Sequence, residues 1–204
     1  CAPCHGAAGQ GDGPAAYLLY PKPRNFAKAQ YRLVSTWEQV PTDEDLFRVI
    51  TRGMPGSAMP SWPSLPEETR WGLVHYLKSL ADHPLEMVAP TPPPADGGPG
   101  TGVIEVPPEP VYDEAAQQRG AELFSQGCAG CHGATGKGDG QTRQIDSEGY
   151  PTRPRDLTRG IYKGDPAAEA VYRRVVAGMP GTPMPMSDWA PGDDAWALTH
   201  YVLS

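Results

Sequence analysis

Two copies of the pattern Cys-x-x-Cys-His stand in this chain, at Cys1–His5 and Cys128–His132, and each opens a series of landmarks that recurs in the same order. Gly11-Asp12-Gly13 returns as Gly138-Asp139-Gly140, and Pro23-Arg24-Asn25-Phe26 as Pro154-Arg155-Asp156-Leu157. Further on, Gly53-Met54-Pro55-Gly56 returns as Gly178-Met179-Pro180-Gly181, Met59-Pro60 as Met184-Pro185, and Trp71 with His75-Tyr76 as Trp196 with His200-Tyr201. A repeat of this length means two small units of one kind, not one large core.

Between the copies, Ala89 to Pro110 holds 8 Pro and 4 Gly in 22 residues. Such a segment sustains neither a helix nor a ladder-paired strand, so it reads as a proline-stiffened linker. The expected layout is residues 1–88, a linker over 89–112, and residues 113–204. The formal charge is −7, but residues 1–88 carry 8 basic and 9 acidic side chains, residues 119–204 carry 9 and 10, and the stretch between carries 5 acidic and none basic. The excess belongs to the linker, and without a basic run interleaved with aromatics nucleic acid is not an expected partner. No window is apolar enough for a membrane span.

Within each copy the periodicity is helical. Thr42 is positioned to cap a helix with Asp45 as its third residue, Leu46, Phe47, Val49 and Ile50 as its apolar stripe, and Gly53 as its end. In the second copy Asp165 with Pro166 predicts the start, Val171, Tyr172, Val175 and Val176 the stripe, and Gly178 the end. A last helix buries Leu73, Tyr76, Leu77 and Leu80 in one copy and Leu198, Tyr201 and Val202 in the other. Strand-like alternation is absent.

The chemistry lies in the duplicated motif. Two thiols and an imidazole within five residues allow thioethers to both vinyl groups of a haem while the adjacent His ligates its iron, which is the signature of c-type haem attachment. A structural zinc site needs four ligands, usually with the histidines as a separate pair, and a redox dithiol needs a βαβ setting that is missing. Cys1, Cys4, Cys128 and Cys131 are therefore the expected attachment points, His5 and His132 the iron ligands, and two haem c the cofactors. No cysteine remains for a disulfide.

On these residues the chain resembles the class I cytochromes c, in particular the bacterial dihaem cytochromes built of two such domains in tandem. The resemblance implies an all-α fold of two class I cytochrome c domains joined by the Pro-rich linker, with a helix ahead of each haem motif and a C-terminal helix crossing it. It also implies a sixth ligand from a Met-Pro loop followed by an aromatic residue. Each copy offers two Met-Pro pairs. Met59 lies 54 residues after His5 and precedes Pro60 and Trp62, and Met184 lies 52 residues after His132; these two are the expected ligands, with Met54 and Met179 packing against the ring edge. Met186 and the residues before Trp189 depart from the pattern.

Arg24 and Arg155, in the matching Pro-Arg turns, are candidates to pair with haem propionates. His75 and His200 fall opposite the apolar stripe of the last helices, facing solvent or the other domain, and with Trp71 and Trp196 they mark the expected contact between domains. His83, beyond the helix and without a counterpart, reads as a surface residue. The first copy begins at Cys1 and lacks the helix that Arg119–Phe124 supplies ahead of the second motif, as in a fragment of a longer chain.

A haem with two protein ligands has no open site, and thioether sulfur raises its potential, so the expected role is single-electron transfer between redox protein partners or within a membrane respiratory complex. The enzymatic alternative, a dihaem peroxidase, needs one copy to have lost its Met-Pro loop, and both retain it. The family's haem attachment after export implies a periplasmic or other extracytoplasmic location, with membrane association through a missing segment or a partner.

Overall fold

The computed structural model describes residues 1–94, 98–187 and 191–204; Trp189 and part of the linker lie outside the described residues. Helices dominate: α1 (Ala2–His5), α2 (Asp43–Arg52), α3 (Glu67–Ser79), α4 (Glu114–Gly127), α5 (Ala129–His132), α6 (Ala168–Ala177) and α7 (Asp193–Leu203). Among the described residues the paired strands are one antiparallel couple, β1 (Gln144–Ile145) with β2 (Pro151–Thr152), each two residues long.

Helix α2 starts as its sequence dictates. The Thr42 hydroxyl accepts from Asp45 N at 3.0 Å and the Asp45 carboxylate accepts from Thr42 N at 3.0 Å, a reciprocal capping box. Leu46 and Ile50 form its buried face. Helix α6 begins later than the sequence suggests, at Ala168. Asp165 does not cap it: its Oδ1 accepts from Ala167 N at 3.0 Å in a local turn and its carboxylate pairs with Arg52 at 2.7 Å, so the aspartate is engaged ahead of the helix.

Both α2 and α6 end on a glycine with φ of 68°, Gly53 and Gly178. A Cβ at Gly53 would lie 2.5 Å from the Pro60 carbonyl, and one at Gly178 would collide with that of Pro185. The helix ends therefore stop where the Met-Pro segment crosses them, and only glycine permits that approach.

In the second half α7 packs against both α4 and α6. It is buried nearly all round: Ala195, Trp196, Ala197, Leu198, Thr199 and His200 are buried. The linker covers its remaining face. Trp196 Nε1 donates to Pro107 O at 3.1 Å, and His200 Nε2 lies 2.7 Å from Glu109 Oε1, with the Tyr112 ring 4.7 Å away. The solvent-facing reading of His200 is thus corrected, because the chain between the halves returns along the helix. In α3 the buried residue is Val74, while His75 and Tyr76 are exposed and Trp71 stacks on Phe47 at 4.2 Å. Tyr76 therefore leaves the apolar stripe expected of it. His83 is exposed, as its sequence position suggests.

The proline-rich segment is a strap. Ile104 is fully buried, its N–H donates to Ser35 O at 2.8 Å, and its carbonyl accepts from Arg173 Nε at 3.2 Å, so one residue ties the first half to α6. Trp37 N donates to Gly102 O at 3.0 Å beside it. Composition excludes a ladder here, and what forms instead is two isolated bridges, Thr36 with Val103 and Thr91 with Thr101.

The two halves share a core. Tyr31, Val34, Leu46 and Ile50 of the first belong to one apolar cluster with Tyr172, Val176, Ala177 and Trp196 of the second. Polar pairs seal the seam: Arg32 with Asp146 at 3.3 Å, both buried, Lys28 with Glu148 at 3.4 Å, and Gln39 Nε2 donating to Ala177 O at 2.9 Å. Of the four residues expected at the contact, Trp196 enters the shared core, His200 lies under the strap, Trp71 packs at the edge of the cluster and His75 is exposed.

Candidate haem sites

Each Cys-x-x-Cys-His is a single helical turn. His5 N donates to Cys1 O at 2.9 Å and His132 N to Cys128 O at 2.8 Å. The turn brings the first Cys, the second Cys three residues on, and the His four residues on to one face, because those spacings are neighbours on a helix. None of the four cysteines is paired in a disulfide. Burial pushes the Cys128 thiol up to about 11, with Cys131 adding to the effect. That shift disfavours the thiolate at Cys128, the form in which a cysteine binds a metal ion or exchanges disulfides. Among the described residues no group of three or more His, Cys, Asp or Glu side chains is gathered as a metal site of that kind.

The imidazoles are oriented for ligation. His5 Nδ1 donates to Arg24 O at 3.2 Å, which leaves Nε2 with its lone pair free, and the ring stacks on Phe26 at 4.5 Å. His132 has the same neighbour in the repeat: the Arg155 carbonyl acts on it to favour the protonated ring, although Nδ1 falls short of hydrogen-bond geometry. Burial lowers the affinity of both histidines for a proton and is the larger effect, so both are held as neutral imidazole, the form that binds a metal.

In the second half these groups open into a cavity of about 420 Å³. Cys128, Cys131 and His132 line it together with Met179, Met184 and Met186. Phe124, Leu157, Val171, Val175 and Leu198 add apolar wall, and Arg155, Lys163 and Arg174 bring positive charge. The dimensions lie within the range of small-molecule and cofactor sites. Met179 is buried and Met184 half-buried, and Met179 N donates to Met184 O at 3.1 Å, so the two close one loop. The first half repeats that closure, with Met54 N donating to Met59 O at 3.1 Å and both side chains half-buried.

Cations gather at the seam without enough anions. Burial, followed by the nearby charges of Arg32, Arg155 and Arg24, brings the Lys163 ammonium down to about 8. Arg24 falls to about 10, from burial first and Arg32 second. Arg24 Nε and Nη2 and Arg155 Nε are buried without a hydrogen-bond partner. Buried donors on charged groups call for an acceptor, and carboxylates entering with a cofactor would satisfy them. The orphaned donors, the neutral imidazoles and the apolar cavity beside two thiols together fit a haem with its propionates. Sequence reasoning did not single out Lys163 or Arg174; Lys163 follows Arg32 by the same 131 residues that separate Arg155 from Arg24, a signal that could have found it, and Arg174 donates to the carbonyls of Lys163 and Asp165 and shapes that turn.

Residues 117–204 match the family model for cytochrome c, and residues 1–77 match that for cytochrome c oxidase, cbb3-type, subunit III. A solved chain of the reducing HAO-like protein complex of Kuenenia stuttgartiensis superposes with a TM-score of 0.86 at 36% identity, over 99% of this chain and 90% of that one. The chain is a two-domain c-type cytochrome. No curated protein sequence matches it significantly. The all-α class I architecture implied by the resemblance is what the cytochrome adopts, and haem c binding and electron transfer follow from the family. Among its described residues no helix is long and apolar enough to cross a membrane.

Proposed function

We propose that this cytochrome carries two haems and passes single electrons between redox proteins. Cys1 and Cys4 hold one haem and Cys128 and Cys131 the other. His5 with Met59, and His132 with Met184, would ligate the two irons, and Arg24 and Arg155 would pair with propionates. Residues 1–88 and 113–204 are the two domains, with 89–112 between them. The observation that carries the reading is the cavity that gathers Cys128, Cys131, His132 and Met184 with Arg155 at its wall. Haem bound there supplies reversible one-electron chemistry at an iron whose potential the thioether ligand raises.

The protein's own part is to bind, orient and exclude water. The Arg24 carbonyl fixes the His5 tautomer, apolar side chains wall the cavity, and residues of both halves share one core. Likeness to a chain of an HAO-like complex supports a place as an electron-transfer subunit docked to such a redox enzyme, in the periplasm or an equivalent compartment. Met-Pro loops in both halves favour this over peroxidase chemistry, which needs an iron with a position to spare. A spectroelectrochemical titration tests the reading. Two one-electron steps, with no turnover of peroxide against an added reductant, are expected; steady peroxide turnover would contradict it.

A further inference from the structure

The two arginines of the Pro-Arg turns do not stay within their own domains. Arg155 crosses the seam, and its Nη2 donates to Pro55 O at 2.9 Å in the first domain's methionine loop. Its guanidinium lies against Gly56, filling the space that a Cβ there would need. The repeat makes the reciprocal contact: a Cβ on Gly181, in the second domain's methionine loop, would lie 3.1 Å from Arg24 Nη2 and 3.3 Å from Nη1. Both glycines have positive φ, 72° at Gly56 and 69° at Gly181, so each loop tip is shaped to receive an arginine of the other domain.

What the guanidinium touches is tied to the methionine expected at the iron. Ser57 Oγ donates to Met54 O at 2.7 Å and accepts from Met59 N at 3.3 Å. Thr182 Oγ1 does the same between Met179 O, at 2.7 Å, and Met184 N, at 3.2 Å. Displacing Pro55-Gly56 or Pro180-Gly181 therefore displaces the brace that sets the backbone of Met59 or Met184. At its other end each arginine addresses its own domain's histidine through its carbonyl, by a hydrogen bond at His5 and by proximity at His132.

We propose that Arg24 and Arg155 are cross-domain positioning residues, each holding in place the methionine loop of the opposite haem site, so that the axial ligation of each haem depends on the other domain. The proposal rests on the His/Met reading above. It adds that the Arg155 guanidinium has two duties: Nε is left for the propionate of its own haem, while Nη2 holds the neighbour's loop; Arg24, whose Nε and Nη2 both lack a partner, meets its target loop by packing alone. The contact is stronger in one direction, since Arg155 makes a hydrogen bond to its target loop.

The test uses the holoprotein with Arg155→Gln and Arg155→Lys, reading the methionine methyl resonances and the midpoint potential of each haem. Met59→His and Met184→His variants assign the signals. Both Arg155 variants are expected to move the Met59 methyl resonance and lower the potential of the first haem. Arg155→Lys, which keeps the charge but not the fork, leaves the second haem's potential nearer that of the unmodified protein than Arg155→Gln does. If the Gln variant does not accumulate with haem, the Lys variant decides. An unmoved Met59 resonance and first-haem potential overturn the proposal, whatever the second haem does. A response confined to the second haem leaves Arg155 as a propionate partner alone, with the His/Met reading intact. Absence of both methionine methyl signals from the unmodified protein overturns that reading and the proposal together.

Discussion

Asp146→Asn probes whether the two domains are sealed to one another. Arg32 and Asp146 pair across the seam at 3.3 Å with side chains only 8% and 4% exposed. Asp146 Oδ1 also accepts from Glu148 N at 3.1 Å and Tyr150 N at 2.9 Å, bonds that an asparagine can retain. The substitution thus keeps volume and turn while leaving the Arg32 charge buried without its counter-ion. Breaking a buried pair on one side costs about 3–5 kcal/mol. For a chain of this size that corresponds to a fall in melting temperature of roughly 6–20 °C, at about 2–4 °C per kcal/mol.

Urea unfolding of the holoprotein followed by far-ultraviolet circular dichroism measures the loss. Adding Arg32→Met removes the stranded charge and should return stability to within about 1–2 kcal/mol of the parent, because an ion pair replaced on both sides by groups of similar volume is often close to neutral. A single-variant loss under about 1 kcal/mol, far below the range for a buried pair, would mean that the seam admits water and that the domains are not locked. Losses that simply add in the double variant would mean that the two side chains do not act on one another.

Other consequences concern the ligands and the seam. Met59→Ala and Met184→Ala should each remove the red-edge sulfur-to-ferric-iron absorption of one haem and lower its potential, while Met54→Ala and Met179→Ala retain that band; its retention in Met59→Ala would move the assignment to Met54. Because Met179 is buried, Met179→Ala should also destabilise the fold by about 2–5 kcal/mol, the usual range for truncating a core methionine, readable in the same urea titration. Proteolytic cleavage of the linker should leave the halves associated on gel filtration, with exciton coupling between the haems in visible circular dichroism. Halves that part would describe two independent carriers.

Much of this architecture is legible in the sequence because the repeat checks every landmark against its copy. The capping box at Thr42, the glycines ending α2 and α6 and the one-turn haem motifs all rest on contacts between near neighbours in the chain. What the sequence conceals is non-local. Asp165 has the composition of an N-cap, yet it is drawn to Arg52 of the other half. His200 lies on the polar side of its helix by periodicity, yet the returning linker covers it with Glu109 and Tyr112. The pairs that close the seam join non-equivalent positions of the two copies: Lys28 and Arg32 align with Arg159 and Lys163, but the first copy has no carboxylate between Asp12 and Glu38 to match Asp146 and Glu148, so comparing the copies does not reveal the pairing. Arg24 and Arg155 stand out by their recurrence, but their reach into the opposite methionine loop emerges only when the halves are docked.

The central claim is that the polypeptide carries two covalently attached haems. Intact mass measurement of the holoprotein after acidified-acetone extraction tests it most directly. The account predicts the mass of the chain plus two haems, with no haem in the organic phase; a mass increased by one haem or none, or haem released into the solvent, would contradict it.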